Sequence, residues 1–174
     1  MKIFIDSSIV SSLLKEELTK DEINSLETIM LAHKANQVEI ITLDSTKEKI
    51  NKIPELFKNP NITFIKLLKE IPSIEEIGYC NDACHDGLSF ESGFDPLYQK
   101  LINLVDNLEA RQLFQGLKAG ANFFVTKSIM VLNKKDEIKE YGTSVLSPVE
   151  MTGDIYRSFI MEQSTPSFDL KSKI

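Results

Sequence analysis

Apolar positions along the 174-residue chain change their period several times, and each change marks an element. Lys2 to Ile5 is short, aromatic and β-branched, the pattern of a strand. Asp6-Ser7-Ser8 follows where a helix beginning near Ile9 needs capping groups. Ile9, Val10, Leu13, Leu14 and Leu18 give that helix one apolar face, which Thr19-Lys20-Asp21 interrupts. Ile23, Leu26, Ile29, Met30 and His33 predict a second helix from about Glu22 to Ala35, with His33 at its surface or boundary. Val38 to Leu43 is an unbroken apolar run, expected of a strand covered on both faces.

Asp44 opens a third helix, which ends near Pro54. Asn59-Pro60-Asn61 reads as a turn before a third strand at Ile62 to Ile65. Residues 70 to 96 carry Pro72, Gly78, Gly87, Gly93 and Pro96 without a clear period. They read as an irregular insertion with a short helix at Ser73 to Gly78, and 79 to 94 as a mobile stretch near a functional rim. A helix through Tyr98, Leu101, Ile102 and Val105 then leads into another carrying Leu108, Leu113, Phe114 and Leu117, which Gly120 ends. Phe123 to Thr126 is a short buried strand, Thr152 to Gln163 a final helix, and Ser164 to Ile174 a frayed tail. Strands alternating with helices predict a three-layer α/β/α fold around a mainly parallel sheet.

Glu109-Ala-Arg-Gln-Leu, the small Gly116, and then Ala119-Gly-Ala-Asn-Phe-Phe-Val-Thr126 resemble the last helix and strand of a PIN domain. The likeness continues through Asp136 to Gly142 and Val145 to Glu150, similar to that family's closing helix and strand. It implies a PIN-like domain over residues 1 to 150, with the insertion at about 70 to 96, followed by a C-terminal helix and tail over 151 to 174. It also implies a magnesium- or manganese-dependent ribonuclease that hydrolyses RNA phosphodiester bonds. By the same resemblance Asp6, Glu48 and Glu109 are the catalytic, metal-binding acids. Ser8, Thr126 and Ser128 are supporting positions, and Asp44 and Asp106 stand close enough in sequence to serve as substitute acids. Two positions depart from the pattern, which has aspartate at the places of Glu109 and Ser128. They leave open an alternative, a catalytically decayed module that binds RNA or a protein partner. RNA is the expected partner, and the family also admits a protein inhibitor or antitoxin and a homodimer.

Composition changes this picture in a few respects. A hydrophobic content of 42% and a charged content of 26% are those of a globular protein with one core. No apolar run approaches the roughly 20 residues that cross a bilayer, and Met1 to Asp6 reads as a strand and an acid instead of the apolar region and cleavage site expected of a secretory leader. A cytoplasmic protein without a membrane partner is expected. A net charge of -6 means that attraction to a phosphate backbone needs bound cations or a local basic strip. Lys47, Lys49, Lys52 and Lys58 around the third helix, with Lys134, Lys135 and Lys139 late in the chain, are the candidates, although lysines on polar helix faces are ordinarily solvated. Cys80 and Cys84 are the only cysteines, expected as two thiols, and with His85 they lack the fourth ligand of a structural zinc site.

Each proposed acid also has a plain structural reading. Asp6 can cap the first helix. Ser45-x-x-Glu48 and Asp106-x-x-Glu109 both have capping-box spacing, so the two glutamates can serve helix-end amides instead of a ligand. Taken alone, each is as well explained by capping as by chemistry; the family's order of positions is what joins them.

Overall fold

A computed structural model describes residues 1–55, 61–77 and 95–164. Five parallel strands form one sheet in the order β3-β2-β1-β4-β5. They are β1 (Lys2–Ile5), β2 (Glu39–Leu43), β3 (Ser73–Ile74), β4 (Phe123–Val125) and β5 (Ser144–Leu146). Central β1 pairs on one side with β2, Phe4 opposite Ile41, and on the other with β4, Phe4 opposite Phe124. It is hydrogen-bonded along both edges and covered on both faces, which is why nearly every residue in it is apolar.

Alternation along β1 assigns the two layers. Ile3 and Ile5 join a core with Ile9 and Val10 of α1 (Ser7–Leu14), Leu26 and Ile29 of α2 (Lys20–Lys34), Ile50 of α3 (Asp44–Asn51) and Phe64 and Leu68 of α4 (Ile62–Glu70). Met151 and Ile155 of α9 (Pro148–Ser164) enter the same core, so this helix is part of the fold's main body. Phe4 points the other way, into a second core with Tyr98 and Leu101 of α5 (Pro96–Ile102) and Leu113 and Phe114 of α6 (Asn107–Lys118). Val131 of α7 (Ile129–Leu132) and Ile138 of α8 (Lys135–Lys139) complete it. The expected α/β/α architecture is present, and its sheet is entirely parallel.

Local chemistry fixes the helix ends. Thr19 and Glu22 form a reciprocal capping box at the start of α2. Asp95 accepts from the Leu97 amide with Pro96 in the first turn of α5. At the end of α6, Gly120 has φ +73, and Ala121 and Gly120 donate to the Gly116 and Leu117 carbonyls. That is the left-handed stop the sequence implied. Asn122 then takes the Lys2 amide on its Oδ1 at 2.8 Å, setting the register of β4 against β1.

Two segments differ from the sequence-based expectation. Ile62 to Ile65 is the first part of α4, not a strand: with Leu67 and Leu68 its buried positions follow a helical period that the four-residue run alone does not reveal. Ser73–Ile74 is the edge strand β3 instead of a helix, paired through Thr42 opposite Ser73. Beyond it, Gln115 donates to the Ile77 carbonyl and accepts the Ile77 amide, replacing the bonds a helix would have supplied. Asn59, Pro60, the stretch 79 to 94 with Cys80, Cys84 and His85, and the tail after Ser164 lie outside the described residues.

Gly116 brings α6 close to the sheet: an added Cβ would sit 3.2 Å from the Phe4 ring and 3.3 Å from the Phe124 ring. Those rings are stacked, 5.2 Å between centroids, and fully buried. Gly116→Val should therefore cost roughly 1–3 kcal/mol by overpacking, despite removing a helix-weakening glycine. Urea unfolding of the variant against wild type measures it.

Candidate active site at the carboxyl ends of the strands

The strand order reverses at β1, with β2 and β3 on one side and β4 and β5 on the other. Chain leaving β1 enters α1 in one layer, whereas chain leaving β4 enters α7 in the other. The two exits part at the strand ends, the switch point at which open parallel sheets form a ligand-binding crevice.

Asp6 is the first residue beyond β1 and is only 2% exposed. Its amide continues the ladder by donating to the Val125 carbonyl. Although it occupies the N-cap position of α1, its side chain makes no capping hydrogen bond. The Thr126 hydroxyl instead donates to its Oδ2 at 2.7 Å. Thr126 Oγ1 also accepts the Ser128 amide at 2.9 Å and lies 3.0 Å from Ser8 Oγ, which in turn accepts the Lys127 amide at 3.0 Å. Burial pushes the Asp6 carboxyl up from the usual carboxylate range, and the Ser8 and Thr126 hydroxyls with the nearby Ser8 and Ser7 amides only partly offset this.

Glu109 approaches from the first turn of α6. Asp106 caps that helix by accepting the Glu109 amide at 3.0 Å, as the spacing predicts. The reciprocal half of the box is not made, because Glu109 Oε1 turns instead to the Ser128 hydroxyl, which donates to it. Its other oxygen, Oε2, is buried without a partner. Burial, the Asp106 side chain and the Asp6 charge together push Glu109 up to about 7, against the lowering effect of Ser128. Asp106 moves the opposite way, held down by its hydrogen bonds with Glu109.

The fold thus joins Asp6, Ser8, Asp106, Glu109, Thr126 and Ser128 at one crevice. Glu48 is exposed on α3, and Asp44, half-buried, begins that helix beside the end of β2. The expected Ser45 capping box does not form: Ser45 Oγ donates to Glu76 at 2.7 Å, and the N-cap of α3 is Leu43, two residues before Ser45. Among the described residues no group of three His, Cys, Asp or Glu side chains is placed to hold a metal ion. Asp6 and Glu109 nevertheless suit a hard divalent cation, which is satisfied by one or two carboxylates and several waters. Mutual repulsion and an orphaned buried carboxylate oxygen are conditions that such a cation relieves.

The lysines divide. Lys47 Nζ donates to the Lys69 and Ile71 carbonyls and ties α3 to the end of α4, so it is not free for a backbone phosphate. Burial pushes its ammonium below the usual lysine range. Lys134 pairs with Glu137 and Lys135 with Glu150 at the surface, while Lys49 is exposed. The sequence reading passed over Lys127, whose ammonium bonds Glu22 at 2.9 Å and the Glu17 carbonyl at 3.2 Å. It anchors the Thr126–Ser128 turn to α2; a cation directly after the strand-end threonine was the available signal.

Three comparisons with known proteins were negative: no family model matches the chain, nor does any curated protein, nor any solved structure. Among the described residues no helix is long and apolar enough to cross a membrane.

A raised carboxyl pKa makes stability fall as pH rises. Below about 4.5 Glu109 is protonated in both folded and unfolded chains; between about 4.5 and about 7 the folded chain alone keeps the proton, so stability is lost through that window. Glu109→Gln keeps an acceptor for Ser128 without the charge. In the absence of divalent cations it should be more stable than wild type by roughly 1–2 kcal/mol at pH 8, after allowing for solvent screening of a half-exposed group, and no more stable at pH 4.5. Denaturant unfolding of both proteins at the two pH values measures the difference.

Proposed function

We propose that the chain is a magnesium- or manganese-dependent ribonuclease whose site lies at the β1/β4 crevice. The observation that carries this reading is the meeting of Asp6 and Glu109, two carboxylates distant in sequence, at the switch point of a parallel sheet. The order Asp6, Glu48, Glu109, Thr126, in which the chain resembles PIN domains, supports it. It also supports RNA as the substrate.

In this reading Asp6 and Glu109 hold the cation, and Asp106 and Glu48 supply further negative charge at the rim. A divalent cation supplies Lewis acidity toward phosphoryl oxygens and acidifies water. The chain provides alignment. Thr126 fixes Asp6 through its hydroxyl, Ser128 fixes Glu109, and the Lys127–Glu22 pair keeps their shared turn in place. Leu108, 64% exposed, and Ile129, 72% exposed, adjoin Glu109 and Ser128 and give the rim an apolar lip. Unstacked bases present apolar faces to such a surface.

A second reading is favoured by the serine at 128 and the exposed position of Glu48. With no carboxylate at 128 and Glu48 exposed on α3, the crevice is in this reading the remnant of a nuclease site in a module that binds RNA or a protein.

Cleavage of a labelled RNA with added Mn2+ tests the choice. Asp6→Asn should abolish cleavage while leaving the circular dichroism spectrum unchanged; activity equal to wild type would remove Asp6 from the mechanism. Glu109→Asp combined with Ser128→Asp should tighten Mn2+ binding roughly tenfold by adding ligand charge. Tighter binding with no cleavage in either protein would select the second reading.

A further inference from the structure

The residue on α6 that the sequence pattern leaves unexplained is Gln112. It is 5% exposed, and its Oε1 is buried with no hydrogen-bond partner. A buried carboxamide oxygen in that state carries an uncompensated desolvation cost, so its retention calls for a ligand. Its helix face locates it. Gly116, four residues on, lies over the Phe4 and Phe124 rings in the middle of β1 and β4. Glu109, three residues back, reaches Ser128 beyond the end of β4. Residues three and four apart on a helix are neighbours on one face. Gln112 therefore stands between the ring contact and the carboxylate, one turn beneath Glu109 at the level of the strand ends.

Two acceptor oxygens without a hydrogen-bond partner, Glu109 Oε2 and Gln112 Oε1, thus belong to side chains one turn apart on α6, and Glu109 feels the charge of Asp6. A buried donor from the chain would have satisfied either one. The neighbouring side chains supply none: Ser128 donates to Glu109 Oε1, and Thr126 donates to Asp6 Oδ2. We propose that Gln112 is a further binding residue of the crevice, its carboxamide oxygen facing a hydrated divalent cation held by Asp6 and Glu109, either as a direct ligand or through one of the cation's waters. Hard divalent cations accept side-chain amide oxygens and waters alongside carboxylates. A neutral oxygen there adds a ligand without a further charge, which would deepen the repulsion already raising Glu109.

This inference rests on the cation-dependent reading above, and the test separates the two. Mn2+ is titrated calorimetrically into wild type, Asp6→Asn, Gln112→Met and Gln112→Glu, with thermal melting recorded in EDTA and in Mn2+. Methionine keeps the volume of glutamine and removes the orphaned oxygen. It should weaken Mn2+ binding at least tenfold, raise the melting temperature in EDTA, and reduce the increment that Mn2+ adds. Gln112→Glu should lower the melting temperature in EDTA and bind Mn2+ at least as tightly as wild type. Wild-type affinity in Gln112→Met, with Asp6→Asn no longer binding, would overturn the role of Gln112 and leave the cation reading standing. No Mn2+ binding by wild type, or unchanged binding by Asp6→Asn, would overturn the cation reading and this inference with it. A fall in the EDTA melting temperature of Gln112→Met with its Mn2+ affinity intact would show that the glutamine serves packing alone.

Discussion

A carboxylate placed directly after the central strand of a covered parallel sheet cannot solvate itself. β1 has neighbours on both edges and helices on both faces, so the first residue past its end is still inside the protein, and that residue is Asp6. Burying a charge without a counter-charge is costly, and the surroundings respond through hydrogen bonds. Thr126 gives its hydroxyl proton to Asp6, Ser8 adds a second hydroxyl, and the Ser128 amide holds Thr126 in place. The turn after β4 is shaped by this demand. Its position in turn sets Ser128 against Glu109 and brings α6 to the crevice.

How closely α6 can descend is decided lower down, by a packing contact. Gly116 lets the helix backbone settle on the stacked Phe4 and Phe124 rings, and any larger residue would lift it. The face above that point then carries Gln112 and Glu109 toward the strand ends. Core packing and site electrostatics are therefore one geometry: the apolar half of α6 fixes the height at which its polar half meets Asp6.

Much of the fold could be read from the sequence because its elements carry strong local signals. Asp95-Pro96, Asp106, Gly120 and the Thr19/Glu22 pair mark helix ends by chemistry that acts within a few residues. The misread segments lack such signals. Ile62 to Ile65 is a short apolar run, which suits a buried strand as well as a helix until Leu67 and Leu68 are counted. Ser73–Ile74 is a strand only because β2 has a free edge and Gln115, distant in sequence, engages Ile77. The site shows the same division. Asp6, Glu109 and Ser128 were visible from their places at element boundaries. The buried, unpartnered state of Gln112 depends on the level at which α6 meets the sheet, which no stretch of sequence encodes locally.

The two departures from the resembled pattern are physically a single feature. An aspartate at 128 would set a third negative charge against Glu109, whose carboxyl is already raised by burial, Asp106 and Asp6. Serine removes that charge and supplies a donor, and the extra methylene of glutamate at 109 gives its carboxylate the reach to accept it. Without Ser128 the longer acid would lose the one hydrogen bond that lowers its pKa; with an aspartate at 109 the serine would stand further from its acceptor. The pair trades negative charge for a less strained cluster. A chain with a net charge of -6 gains from that exchange, because its overall field does not stabilise a denser acid cluster.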